Sequence, residues 1–371
     1  MFLPWLPCDG VRDESVLVIM TLYRIGAGGG QCGGCALQNC YNSCITQGDD
    51  RVIVCDAQHR RQLVEQEFRN ARFHHGNRFL HFENLLNIHR MLDLGLWLTG
   101  LRARGERNAL DIQVTEHEFM FPSLPPGFDG FRIMQLSDLH INGHGRIVDR
   151  IIEIISGIEI DLCCMTGDYR FHLGQQCAPT FHQDLSRVYR AINSRLGTVA
   201  ILGNHDLLED AMTLRTLGAT VLVNASCAIH RDGDEVWVAG VDDPHYYRCD
   251  DLPQALMGIP EQAFKILLAH TPSIYEEAAD EEFDLYLCGH THAGQIRLPL
   301  IGPVIRHVNC PYEYQRRLWR HRGMWGYTCE GAGSSGVPVR FNCRPEIAVH
   351  TLRKDTGCPP RPWAAGGMRD A

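Results

Sequence analysis

From residue 112 onward the chain switches back and forth between two spacings of apolar residues. Ile112–Phe119 alternates apolar with polar positions as a half-buried strand does, and Ser123-Leu-Pro-Pro-Gly127 reads as a turn. Phe131–Leu136, Leu162–Met165, Thr198–Ile201, Ile266–Ala269 and Phe283–Cys288 are short, nearly unbroken apolar runs, the pattern of strands buried on both faces. Ile151, Ile154, Ile155 and Ile158 recur at three and four residues, which predicts a helix over Ile147–Ile158. A second helix is predicted over Phe181–Leu196. Further strands are predicted near Ala219–Val223, Ala228–Arg231 and Val236–Val241, with short ones at Gln295–Leu298, Gly326–Cys329 and Ile347–Leu352 closing the domain. Strands that alternate with helices predict an α/β domain over residues 111–353.

The flanks break that rhythm. Phe79, Phe82, Leu85, Leu86, Met91, Leu92, Leu96, Trp97 and Leu101 follow helical spacing, so residues 76–110 read as an amphipathic helical segment with Arg102, Arg104 and Arg107 at its end. Most such stripes pack on a core, and here the helix would stop at Gly105. A helix with an aromatic face and a basic end also suits an anionic membrane surface, which makes Phe79–Arg107 a candidate contact. Residues 1–75 are Cys- and Gly-rich and are expected to be a poorly ordered extension; Cys32-Gly-Gly-Cys35 with Cys40 and Cys44 is a crowded, weak zinc pattern. Residues 354–371, rich in Pro and Gly, are expected to be a disordered tail.

Composition narrows the class. Of 371 residues, 44% are hydrophobic and 21% charged, ordinary for a globular enzyme. The formal net charge of -9 argues against nucleic acid as a partner, because such proteins usually carry a basic footprint. Sixteen cysteines are many, yet no convincing secretory signal precedes them and no run approaches a membrane span. A cytoplasmic location with reduced thiols is expected, peripheral on the inner face of a membrane if the helical segment binds there.

The chemistry lies where the strands end. Successive apolar runs give way to Asp138 and His140, to Gly167-Asp168, to Gly203-Asn204-His205-Asp206, to His270, and to Gly289-His290-Thr291-His292. Loops at strand carboxyl ends share one edge of a layered α/β fold, so these side chains should converge. Seven metal-type ligands, Asp138, His140, Asp168, Asn204, His270, His290 and His292, exceed what one tetrahedral ion needs and suit two ions sharing a carboxylate. Oxygen and imidazole donors without thiolate favour Mn, Fe, Mg or Zn. The Asn204-His205-Asp206 stretch makes sense if Asn204 holds an ion, His205 faces substrate and Asp206 orients the imidazole.

Taken in this order, the motifs resemble the signature of the calcineurin-like metallophosphoesterases over roughly Phe131 to Leu352. Gly289-His-Thr-His-Ala-Gly-Gln295 and Arg340-Phe-Asn-Cys-Arg-Pro-Glu346 further resemble a bacterial branch that includes membrane-associated phosphodiesterases and a UDP-2,3-diacylglucosamine pyrophosphate hydrolase; Ala293 stands where that branch more often has Gly. The fold expected is a four-layer α-β-β-α sandwich of two packed mixed sheets with the metal site at the strand carboxyl ends. The resemblance implies one ion on Asp138, His140 and His292, another on Asn204, His270 and His290, and Asp168 between them. A hydroxide held there would attack phosphorus in line, with His205 and Asp206 as the catalytic pair.

Tyr169, Arg170 and Arg340 are candidate substrate contacts. The expected activity is hydrolysis of a phosphodiester or pyrophosphate, lipid-linked if the membrane contact exists. A soluble phosphomonoesterase or nucleotide phosphodiesterase, and a non-catalytic metal-binding scaffold, are the alternatives.

Overall fold

The computed structural model describes residues 61–65 and 86–356, except 173–177, 305–307 and 309. All belong to one compact unit, Val52–Ala371. The cysteine cluster, the first part of the helical segment and most of the tail lie outside the described residues.

Two six-stranded sheets form the centre. The first contains β1 (Gln113–Phe121), β2 (Phe131–Leu136), β3 (Leu162–Met165), β4 (Thr198–Ala200) and β5 (Thr220–Val221). The second contains β6 (Ala225–Arg231), β7 (Asp234–Gly240), β8 (Lys265–Leu268), β9 (Leu285–Cys288), β10 (Arg317–His321) and β11 (Met324–Thr328). The last strand, β12 (Glu346–Lys354), returns to the first sheet, giving the orders β1-β12-β2-β3-β4-β5 and β10-β11-β9-β8-β7-β6. Both sheets are mixed. β2, β3, β4 and β5 run parallel in the first and β7, β8, β9 and β11 in the second, with antiparallel pairings at β12–β2, β10–β11 and β6–β7.

Side chains alternate across each strand, so each sheet feeds two cores. Ile133, Leu162, Cys164 and Val199 meet Ile266, Leu268, Leu285 and Leu287 between the sheets. Met134, Cys163, Met165 and Ala200 point outward, against α3 (Ile147–Ile155), α4 (Phe181–Arg190) and α5 (Leu208–Leu217) through Ile151, Leu185 and Leu214. Leu267, Tyr286 and Cys288 point to the other outside, under Leu252, Ala255 and Ala278 of two shorter helices. The outcome is the mixed α/β fold that the apolar runs predict, in the four layers that the resemblance implies.

Local departures have local causes. α4 ends at Arg190 rather than Leu196, because Asn193–Ser194 pairs in parallel with Glu159–Ile160. The helical segment is two helices, α1 (Leu86–Leu98) and α2 (Arg102–Ala109), broken at Gly100, whose φ is +71°. Gly105 does not stop a helix. It lies inside α2, where an added Cβ would sit 2.7 Å from Val339 Cβ and from the Phe341 ring. Leu96 is buried with Val337 and Val339, so one face of α1 packs on the domain. Lys354, assigned to the tail by composition, is the last residue of β12.

Candidate metal centre

Parallel strands deliver their ends to one edge, and hydrogen bonds tie the two sheets together there. Gln135 Nε2 donates to the Cys288 carbonyl at 2.9 Å, and His270 Nδ1 lies 2.8 Å from the Thr166 carbonyl. The loops after β2, β3, β4, β8 and β9 then bring all seven predicted ligands together, none more than 5% exposed. Their ligand atoms fall into overlapping groups. Asp138, His140 and His292 make one; Asp168, His270 and His290 make another; and a third joins His140, Asp168 and His205. Asn204 Oδ1 lies 3.1 Å from His270 Nε2 and 2.9 Å from His290 Nδ1, which places it in the second group.

The backbone at these positions is unusual. Asp138, His140, Asp168, His290 and His292 all have positive φ, between 41° and 70°. This left-handed region is disfavoured for residues with a Cβ and clusters where geometry is imposed by function. Close approach adds a second constraint: a Cβ on Gly203 would fall 2.2 Å from Asp168 Oδ1, and one on Gly289 1.9 Å from Ser137 Oγ.

A cation fits this donor set. His140 Nδ1 faces the Arg170 carbonyl at 2.6 Å and His270 Nδ1 faces that of Thr166, so each ring donates its Nδ1 proton outward and aims Nε2 into the cluster. The His140 and His292 Nε2 atoms lie 3.1 Å apart, and His270 Nε2 is 3.2 Å from Asp168 Oδ2. Two carboxylates, four imidazoles and one amide oxygen buried together at such distances are the donor set of a divalent cation. Electrostatics point the same way. Burial, reinforced by Asp168, pushes the Asp138 carboxyl up to about 6. Burial opposes charge on Asp168 too, but the His270 and His205 imidazoles hold its carboxyl well below the usual range. Burial and His205 bring His140 down to about 3, leaving it neutral.

His205 stands apart. Its side chain is 13% exposed, its Nε2 lies 3.8 Å from Asp168 Oδ2, and its buried Nδ1 has no hydrogen-bond partner. Asp206 therefore does not orient this ring. Its carboxylate accepts the backbone N–H groups of Asp168, Tyr169 and Gly203 at 2.7–2.8 Å and of Arg170 at 3.4 Å, stitching the β3 loop to the β4 loop. Burial and the Asp168 and Asp210 carboxylates push its pKa up, and the amide donors work against that shift.

The three expected substrate contacts are placed elsewhere. Tyr169 is fully buried in the core, its hydroxyl donating to the Ile201 carbonyl at 2.6 Å. Arg170 is buried against Asp210, with Nε 2.5 Å from Oδ2, and also pairs with Glu209. Arg340 is buried behind His292, with Nη2 3.0 Å from its Nδ1 and donating to the Glu330 and Gly331 carbonyls. Each is a bulky polar residue that neighbouring acceptors capture, and capture of that kind is not visible in sequence.

The roles of Ser137 and Asp243 escaped sequence reasoning. Ser137 Oγ donates to Asp138 Oδ2 at 2.5 Å. Past the end of β7, Asp243 accepts the N–H groups of Tyr246 and Tyr247, and the His245 ring lies 4.7 Å from that of His290. The signal was present: Asp242-Asp243-Pro244 follows a predicted strand as the other motifs do.

Comparison with known proteins agrees with this geometry. Residues 131–294 match the calcineurin-like phosphoesterase family model. An uncharacterized metallophosphoesterase of Bacillus subtilis, YkuE, is 32% identical over 254 residues, covering 65% of this chain and 86% of that protein. The phosphodiesterase YaeI of Escherichia coli is 32% identical over 243 residues, covering 60% of this chain and 82% of that protein. A Bos taurus transmembrane protein with a metallophosphoesterase domain is 31% identical over 261 residues, which span 57% of its length. The chain belongs to the calcineurin-like phosphoesterases, metal-dependent hydrolases of phosphoesters.

Proposed function

We propose that this protein hydrolyses a phosphodiester or pyrophosphate with two divalent ions. Asp138, His140 and His292 would hold one ion, Asn204, His270 and His290 the other, and Asp168 both. The observation that carries this reading is the buried Asp168 carboxylate, which shares one ligand group with His270 and His290 and another with His140 and His205. Ions in that arrangement supply Lewis acidity toward phosphoryl oxygens and a nucleophile at neutral pH. His205, the one partly exposed imidazole of the cluster, faces the reacting group and either steadies a phosphoryl oxygen or gives a proton to the leaving oxygen. Asp168→Asn is expected to abolish turnover and lower the metal content of the purified protein. Full activity in that variant would end the shared-carboxylate reading. The activity is read with Mn, Fe, Mg and Zn against phosphomonoesters, phosphodiesters, nucleotide pyrophosphates and UDP-diacylglucosamine.

A lipid-linked substrate is supported by what surrounds the site. Among the described residues no helix is long and apolar enough to cross a membrane. However, Met91, Trp97 and Leu98 of α1 are exposed, as are Leu300 and Ile301 in the ribbon that pairs Arg297–Leu298 with Gly302–Pro303 shortly after His292. Ile296, at the root of that ribbon, packs in the same cluster as Leu92 and Leu96, so both apolar elements share a base. Arg104 and Arg107 on α2 are not buried and suit anionic headgroups. Co-sedimentation with phosphatidylglycerol vesicles is expected for the native chain and not for Trp97→Asp combined with Leu300→Asp. Equal sedimentation of the two proteins would direct the search to soluble phosphoesters.

A further inference from the structure

Arg61 is fully buried, far ahead of the family-matched residues 131–294. It lies in helical residues 61–65, and its guanidinium contacts Glu65 of the same turn and the loops beside the candidate centre. Nη2 donates to the carbonyls of Gly203 at 3.2 Å and of Asp206 at 2.8 Å, the two backbone groups that bracket Asn204 and His205. Nη1 pairs with the buried Asp242 carboxylate, and Nε donates to Glu65 at 3.1 Å. Glu65 in turn accepts the backbone N–H of Leu208 at 3.1 Å, just past the same loop. The guanidinium carbon stacks 4.1 Å from the centre of the Tyr247 ring, and Val64 packs with Tyr246, Tyr247 and Cys249. One side chain thus joins the β4 loop, which carries Asn204 and His205, to the β7 loop, whose His245 ring touches that of His290.

A planar fork that donates in three directions is what such a junction needs, and only arginine supplies it. The arrangement is costly unless used. A buried charge loses its hydration, and Asp242, 1% exposed, would be left without its cation if Arg61 were removed.

We propose that Arg61 is a positioning residue of the phosphoesterase site: it fixes the carbonyls on either side of Asn204-His205, so that a segment outside the shared domain sets the geometry of a ligand and of the substrate-facing imidazole. The inference rests on the roles proposed for Asn204 and His205. It separates this chain's own N-terminal region from a passive extension, since the site is incomplete without it.

The test uses the full chain and a chromogenic diester, bis-p-nitrophenyl phosphate, with Mn. Arg61→Lys keeps the charge beside Asp242 and loses the fork. The triple variant Arg61→Met, Glu65→Gln and Asp242→Asn removes the buried charges together, so folding does not depend on an orphaned charge. Both are expected to keep the native melting temperature within a few degrees. Both are expected to lose about 10- to 100-fold in kcat and in Mn affinity, the usual effect of losing a group that orients ligands, with KM little changed. Asn204→Ala is run beside them. If Asn204→Ala loses activity and metal while a folded Arg61 variant keeps native kcat and Mn affinity, Arg61 is structural only and the inference falls. If Asn204→Ala keeps both, the reading of the site itself fails and the inference with it.

Discussion

Two regions of this protein bury the same kinds of side chain and use them differently. At the strand ends, Asp138, His140, Asp168, His270, His290 and His292 converge as crowded metal-type donors, all but His270 on left-handed backbone. Between the sheets, His117, Tyr327, Glu346 and His350 gather on regular strands. There, His117 Nε2 lies 3.0 Å from the Tyr327 hydroxyl, which donates to Glu346 Oε1 at 3.0 Å. Thr115 donates to Glu346 Oε2 at 3.2 Å, and His350 Nε2 lies 3.0 Å from Gln135 Oε1. Donors meet acceptors in that network, which leaves His350 Nδ1 alone among its ring nitrogens without a partner. Burial and residue type therefore do not mark a metal site. A crowd of ligand-type side chains on an imposed backbone does.

The largest test of that contrast is His205→Ala. Loss of a proton-transferring or oxyanion-steadying group is expected to cost about 10²- to 10⁴-fold in kcat with metal content unchanged. A native rate would move His205 into the structural class to which His117 belongs.

The second test titrates the structural cluster. Burial, helped by Arg317, lowers the His117 pKa to about 4, and burial with His117 lowers that of His350 well below the usual imidazole value. A histidine held neutral in the fold charges more readily in the unfolded chain. Its contribution to stability is then complete above the free value of about 6.5 and is lost as pH falls toward 4. Because His117 is partly exposed, about 1 kcal/mol should disappear between pH 7 and pH 5 on its account. Urea unfolding of native protein and His117→Gln across that range measures it. A steeper acid loss in the variant would reverse the assignment.

The smallest test concerns strain at the metal edge. Ala293, next to His292, has φ 48° and ψ 25°. Ala293→Gly relieves a left-handed Cβ, so a gain of about 0.5–1 kcal/mol is expected in thermal unfolding, less whatever the glycine adds in unfolded-state entropy. Destabilisation would mean that the surrounding loop does not impose this conformation.

Sequence pattern carried much of this. The unbroken apolar runs Leu162–Met165 and Leu285–Cys288 match strands whose side chains split between inner and outer cores, because a strand's faces are set by covalent geometry alone. The seven ligand candidates were readable for a related reason: a polar residue directly after a buried strand has few structural uses, and five such places in one chain have fewer. Asp206 shows where that reasoning ends. Its place beside His205 suggested a side-chain pair, but four backbone amides are nearer, and an amide's position depends on how two loops fold against each other.

What the amino-acid sequence determined by itself is the strand order of chemistry, the ligand types and the family. The tertiary structure decided what those residues touch: Tyr169 facing the core, Arg170 held by Asp210, Arg340 behind His292, and Arg61 arriving from a segment with no recognisable motif to clamp the Asn204 loop. Periodicity records what each residue prefers locally. A buried guanidinium is placed instead by acceptors scattered across the fold, and only folding brings them within reach.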